Sequence, residues 1–463
     1  MVTIRRLILG ASLLAAGIGM FGGPAQAQSP TAFGVPMGNP NIPGYNFPED
    51  PATLLGWINN QPANAPQIYT HGWGVWASLT MGSGQTAFGI PNAPIYMTWL
   101  SPNEILGLGN TAKLSSKAPV KRALGIGAAR QLTKFGLAGP STLKFNGSLK
   151  VQNGIKATPD TSSVLVTVGY DPAATEWIIG GNLFQYSTYA SLYTAGQPEI
   201  AQFPTNAVSV KPTYKRIPAG TSIYTLPTWP GTPQVTPAIT QNGFGEKSWN
   251  DGCSYVNTSL TGPTTATGTD PSCSNLNAAN TYSINDFINI PITANNINQF
   301  ESMDPSDPVN VGDTLLLVAM HVTTKEIPEW TWQTYFWTPN PAAPPTPSSA
   351  ALAQTRPSQI TGAAAHYAIV FAYQMVAPNQ PANGGQSVGS PAVGYNPYLE
   401  ADFPASTFGI SRPILPVIGP PWIGTVGVQT NCITCHAHGG SRDQHSKSRK
   451  YAALCYGFLY CPE

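Results

Sequence analysis

The run Thr314 to Thr323 (Thr-Leu-Leu-Leu-Val-Ala-Met-His-Val-Thr) is almost continuously apolar and short, and it predicts a buried strand. Neighbouring side chains on a strand point to opposite faces, so Met320 and His321 are expected on different sides. The same rule puts Trp330, Trp332 and Phe336 on one side of the next segment and Trp337 on the other. Strands are also predicted over Ser163–Gly169, Val208–Ile217 and Ser222–Thr225, with a strand-like run from His366 to Val376 that carries Met375 at its far end. Part of Ala118–Phe135 reads as helix, and Leu183–Thr194 reads as a helix or an aromatic-rich strand. Two Trp-bearing segments, Trp73–Leu79 and Ile95–Leu100, follow the turn-rich stretch Pro30–Pro51. A polar insertion covers 229–282, and Pro339–Pro357 is a Pro/Ala-rich connector. No internal repeat of 20–50 residues is visible. The pattern predicts a mainly β fold: a large sandwich or barrel-like body, with a short C-terminal segment packed onto it.

Composition supports many short elements joined by turns. Gly and Pro number 46 each, only 9% of residues are charged, and Ser, Thr, Asn and Gln carry the polarity. With 42% apolar residues, eleven Trp and nineteen Tyr, the chain can build a core, and disorder is excluded. The first segment predicts an export signal: Arg5 and Arg6, the apolar stretch Leu7 to Met20, then the small-residue site Ala25-Gln-Ala27. That stretch is short for a bilayer span of ~20 residues. The expected organisation is a signal peptide over 1–27, a β-rich body over 28–425 with one or two subdomains, and a C-terminal segment over 426–463. The mature protein is expected in the periplasm or secreted, with no transmembrane anchor. A net charge of +1 and export leave no basis for nucleic-acid binding.

The six cysteines divide by context. Cys253 and Cys273 lie in a polar, loop-like stretch, and Cys455 and Cys461 flank a short apolar segment. Export implies an oxidising compartment, so disulfides 253–273 and 455–461 are expected, although sequence alone leaves other pairings of these four open. Cys432 and Cys435 belong to Cys-Ile-Thr-Cys-His436, the attachment signature of c-type haem. Two thiols bond the porphyrin edge, and the adjacent imidazole reaches the iron from one side. A thioredoxin-like redox pair would need a βαβ setting, and the motif instead follows a Pro/Gly-rich run, Pro413 to Gly427. A zinc site built from Cys432, Cys435 and two of His436, His438 and His445 is the competing reading. Export favours haem, because haem is attached outside the cytoplasm.

Only 27 residues follow His436, and none is Met. A second axial ligand would therefore come from upstream, from His445, or be absent. The upstream candidates are His321 and His366 first, then His71, with Met303, Met320 and Met375 behind them. Arg442, Lys447, Arg449 and Lys450 follow the motif and could balance propionates or steer a partner. A basic stretch over 105–159 and an acidic one over 286–329 read more readily as solvated surface than as docking faces.

Several stretches together resemble a family of large, single-haem, c-type cytochrome-like proteins of Gram-negative bacteria. They are His71-Gly-Trp-Gly-Val-Trp, Tyr96-Met-Thr-Trp, Lys211-Pro-Thr-Tyr-Lys, the run from Val318 to Trp337, Asn396-Pro-Tyr-Leu-Glu, and Asn431-Cys-Ile-Thr-Cys-His. The matches span most of the mature chain, and only the last is chemically specific. The resemblance implies no settled reaction, and the pair Cys455 and Cys461 departs from it. Two functions are expected on these grounds. One is electron transfer through one haem c with a redox partner protein. The other is a haem enzyme or small-ligand sensor with an open distal site, in which a distal His321 with Glu326 or Glu329 nearby could move protons.

Overall fold

The computed structural model describes residues 33–114, 130–135, 158–159, 164–195, 200–249, 252–302, 308–328, 330–373, 393–405, 426–430 and 432. The export signal, Met303, Glu329, Met375, Cys435, His436, His438, His445, the basic residues Arg442 to Lys450, and the pair Cys455 and Cys461 lie outside these residues.

Helices among them are α1 (Pro51–Asn59), α2 (Gln61–Thr80), α3 (Pro102–Leu114), α4 (Pro172–Gly180), α5 (Tyr186–Thr194), α6 (Pro237–Asn242), α7 (Ala350–Gln354) and α8 (Pro397–Glu400). Strands are β1 (Arg130–Phe135), β2 (Thr158–Pro159), β3 (Val164–Val166), β4 (Gly169–Tyr170), β5 (Val208–Ile217), β6 (Ile223–Pro227), β7 (Cys253–Asn257), β8 (Thr281–Ser283), β9 (Asn289–Pro291), β10 (Phe300–Ser302), β11 (Thr314–Thr324), β12 (Thr331–Trp337) and β13 (Tyr367–Phe371). The main sheet runs β10-β1-β3-β5-β11-β12-β13, with β4 on β5 and β9 on β11; a second sheet runs β2-β6-β7-β8. The backbone of the main sheet, β5-β11-β12-β13, is antiparallel throughout.

The strand expectations around Thr314 and Val208 stand: β11 is an apolar run buried on both faces, and β5 opens with alternating buried Val208 and Val210 and half-buried Ser209 and Lys211. The mainly β label is too strong: antiparallel sheets are present, but helical residues outnumber strand residues among those described. The 229–282 segment is more than an insertion, because it supplies β7 and β8 of the second sheet. Its disulfide joins Cys253 to Cys273 as expected. Of the span Ala118–Phe135, in part of which a helix is expected, residues 118–129 lie outside those described, and Arg130–Phe135 is a strand paired with β3 and β10 rather than helix. Leu183–Thr194 becomes helix α5 after a turn. His366 ends a 3-10 turn over Gly362–His366, and β13 starts one residue later.

Trp73–Leu79 lies inside α2, a 20-residue helix that carries Pro62 at its start, Pro66 within, and Gly72 and Gly74 at its centre. The glycines are there for contact. A Cβ on Gly72 would sit 1.9 Å from the Phe371 ring, and one on Gly74 would sit 2.1 Å from the Tyr45 ring. Without them α2 lies flush on the sheet, and Trp76 stacks on Tyr335 at 4.4 Å. No described helix is long and apolar enough to cross a membrane.

Candidate functional site

Strand register sorts the candidate residues by face. His321 pairs with Thr334 on β12 and Lys211 on β5, and Thr323 pairs with Trp332. Directly opposed residues share a face, so His321, Thr334, Thr323 and Trp332 point the same way. Met320, Val322, Thr324 and Tyr335 point to the other face, against α2, where the Tyr335 hydroxyl donates to Gly72 O.

The segment that leads into the cysteine motif lies on the His321 side. Gly427 docks on the end of α8: its N–H donates to Phe403 O at 2.8 Å, and a Cβ there would fall 1.5 Å from Glu400 O. Only glycine permits that approach. Next, Gly394 N–H donates to Thr430 O at 3.0 Å. Cys432 follows, half-buried, packed against a cluster that includes Leu100, Tyr170, Ile178, Phe203, Trp332 and Ala372. Thus the first cysteine of the motif and His321 approach the same sheet face, and their landmarks Trp332 and Thr334 are about 7 Å apart along β12.

Helix α8 positions the His321 ring. Asn396 caps it, with Oδ1 accepting from Tyr398 N–H, and Pro397 at the first turn suits the fixed φ of proline. The Asn396 amide donates to Thr334 Oγ1 at 2.7 Å and to Tyr335 O at 2.9 Å, which fastens the helix to β12. Glu400 then accepts the Asn396 N–H on Oε2 at 2.5 Å and meets His321 Nε2 with Oε1 at 2.5 Å. His321 Nδ1 is buried and has no hydrogen-bond partner among the described residues. Beyond Glu400, burial first and the Glu400 charge second push the Asp402 carboxyl up to about 6, while Lys215 opposes the rise.

The other candidates lie elsewhere. His71 is on the opposite face, fully buried, with Nδ1 2.6 Å from the Tyr373 hydroxyl and Nε2 3.0 Å from Glu326 Oε1. Glu326 also accepts from Glu49 N–H at 2.6 Å and Thr324 Oγ1 at 2.5 Å. This corrects the expectation that Glu326 stands near His321: it serves His71, across the sheet. His366 adjoins Tyr367, which pairs with Trp337, about 17 Å along β12 from Trp332. Its Nε2 is 3.6 Å from Asp286, its Nδ1 has no partner among the described residues, and burial lowers its pKa. Met320 is fully buried under α2. Trp332 and Phe336 share a face as expected, while Trp330 precedes the strand with φ 66° and still joins the Cys432 cluster.

Three acidic residues of the 286–329 stretch are internal rather than solvated. Asp286, Asp313 and Glu326 are buried and bonded to Ser283, Arg216 and His71 respectively. Glu400 and Asn396 were missed as functional residues. Their signal was present, since Asn-Pro followed by Glu is a helix start, but a contact 79 residues from His321 leaves no local trace.

The residues described fit a covalently attached haem on two counts. A motif cysteine stands against an aromatic cluster, and an imidazole on the same face has one nitrogen held by a carboxylate and the other unpartnered. Among the described residues, no three His, Cys, Asp or Glu side chains gather as a metal-binding group, and the remaining donors of the zinc alternative lie outside them. Comparison with family models, curated proteins and solved structures finds no match.

Proposed function

We propose that this chain is an exported c-type haem protein, with one haem attached through Cys432 and Cys435 and ligated by His436. It transfers electrons to or from a redox partner protein. Bound haem supplies a one-electron couple, and the chain supplies attachment, burial and access. The observation that carries the reading is the delivery of Cys432, by way of the Gly427 dock, onto an aromatic cluster on the His321 face. From that cluster Trp330, Phe203 and Trp177 follow in succession, with ring centroids 5.5 and 6.4 Å apart, and Trp177 is 37% exposed. That sequence of rings is a short apolar route between the attachment site and the surface. The disulfide of Cys253 and Cys273 suits an oxidising compartment.

The second reading, a haem enzyme or small-ligand sensor with an open distal site, draws on the same His321 and Glu400. A distal imidazole with a carboxylate behind it can also move protons. One experiment separates these readings and tests their common premise. The full chain is matured in a strain that attaches c-type haem, and the purified protein is assayed for covalent haem by mass and by its reduced spectrum with and without carbon monoxide. Covalent haem that is low-spin and indifferent to carbon monoxide supports electron transfer; rapid carbon monoxide binding supports the second reading. Metal without haem would return the motif to zinc and end both.

A further inference from the structure

We propose that His321 supplies the second axial ligand of the haem, with Glu400 as its positioning residue; the proposal rests on the c-type haem reading above. Three histidines compete for the role, and the sheet separates them. His71 has both ring nitrogens occupied and faces α2, on the far side of the sheet from the Cys432 cluster. His366 lies on the stretch of β12 and β13 remote from Trp332. His321 alone of the three shares the face that receives Cys432.

The chemistry of the ring agrees with its place. A carboxylate accepts hydrogen bonds, so the Nε2 facing Glu400 carries the ring proton and the lone pair resides on Nδ1. A buried nitrogen lone pair without a partner is costly unless something coordinates it. A metal-bound histidine has this arrangement: one nitrogen on the metal, and the other donating to a carboxylate that fixes the ring and raises its basicity. Glu400 is itself fixed, because its second oxygen takes the Asn396 N–H and Asn396 is tied to Thr334 and Tyr335. Thr334 is the direct cross-strand neighbour of His321. One strand pair therefore holds both the ligand and the clamp that aims it.

The test is spectroscopic and uses the haem-loaded full chain. Wild-type protein is expected to be low-spin, with the near-infrared charge-transfer band of two imidazole ligands. His321→Met should stay low-spin and move that band to the imidazole–thioether position. His321→Gly should become high-spin and bind carbon monoxide, and added imidazole should restore the low-spin state. Glu400→Gln should remain low-spin, while cyanide displaces the ligand about 10-fold faster or more. A merely structural role for Glu400 would leave that rate unchanged. A further arm needs no variant: diethylpyrocarbonate labelling of His321, read by mass spectrometry, should rise when cyanide takes the iron in wild-type protein. Cyanide binding with His321 labelling unchanged overturns the assignment, as does a His321→Met spectrum identical to wild type, or a high-spin wild type. Absence of covalent haem from wild-type protein overturns the c-type reading along with it, so the two failures are distinguishable.

Discussion

Two histidine–glutamate pairs sit on opposite faces of the main sheet, and they are built for different ends. His71 and Glu326 have no exposed surface, and every nitrogen of the ring is used, by Glu326 and by Tyr373. His321 and Glu400 are 16% and 13% exposed, and one ring nitrogen stays without a protein partner among the described residues. The first pair fastens α2 and the Glu49 loop to β11. The second aims an imidazole. A buried histidine–carboxylate pair with all its hydrogen bonds made is a poor place for chemistry, because nothing on it is left to react. The contrast therefore says which histidine is structural more clearly than burial alone does.

The sharpest way to break this comparison is to remove each carboxylate in turn. Glu326→Ala should lower unfolding stability by about 3–5 kcal/mol, because it strands a buried His71 and two further donors, Glu49 N–H and Thr324 Oγ1. Glu400→Ala should cost less, about 1–3 kcal/mol, because it strands one backbone donor, Asn396 N–H, while the remaining imidazole is partly exposed. Urea unfolding of the two variants measures both, and equal losses would erase the distinction drawn between the faces. Tyr373→Phe asks the same question of the His71 ring more gently. It leaves Nδ1 buried without its hydroxyl, and should cost about 1–3 kcal/mol in the same assay.

Each face also has a glycine whose replacement meets a close neighbour. Gly72→Ala drives a methyl into the Phe371 ring and should destabilise the protein by about 1–3 kcal/mol, relieved in part by Phe371→Ala in the same chain. Gly427→Ala meets the backbone oxygen of Glu400, which cannot rotate away. It should shift the segment leading to Cys432 and, on the haem reading proposed above, lower the fraction of protein carrying covalent haem, with a smaller effect on unfolding. If Gly72→Ala reduces haem occupancy as much as Gly427→Ala does, the two faces do not divide the labour as argued.

Much of the sheet was legible because the centre of β11, Leu315 to Met320, is continuously apolar and β5 begins with apolar Val208 and Val210 alternating with polar Ser209 and Lys211, and period-two alternation placed His321 and Met320 on different faces before any register was known. Helix α2 was hidden by its own composition, since Pro62 and Pro66 read as loop, and Gly72 and Gly74, poor helix formers, serve close contacts with Phe371 and Tyr45. The Cys-x-x-Cys-His motif carries its expectation of haem attachment locally. The partner of His321 does not, because Glu400 comes from a one-turn helix whose position is set by Asn396 bonding β12. A still longer separation hid the assignment of Glu326 to His71, 255 residues away, and nearness in sequence made it look like a neighbour of His321 instead.

The smallest expected effect is a pH slope that belongs to the His321 face. Burial, with the Glu400 charge adding to it, raises the Asp402 carboxyl from its ordinary 3.8 to about 6. The native state thus holds this proton more tightly than the unfolded chain does. The associated stabilisation is complete below the ordinary carboxylate value and is lost as pH rises through about 6. Asp171, which caps α4 beside the Cys432 cluster, is raised to about 7 by burial, has the same sign, and extends the window upward. His366 works the other way: burial lowers its pKa, so its contribution is lost as pH falls. The comparison must therefore be made between variants. The difference in urea midpoint between Asp402→Asn and wild type should change steadily between pH 4 and about 6 and then level off. For Asp171→Asn the change should continue to about pH 7, with the Ala174 and Val208 N–H groups still accepted by the amide oxygen. A midpoint difference for Asp402→Asn that is flat across the range would mean that water already reaches the carboxyl. The Glu400 end of the site would then be more open than the His321 assignment requires.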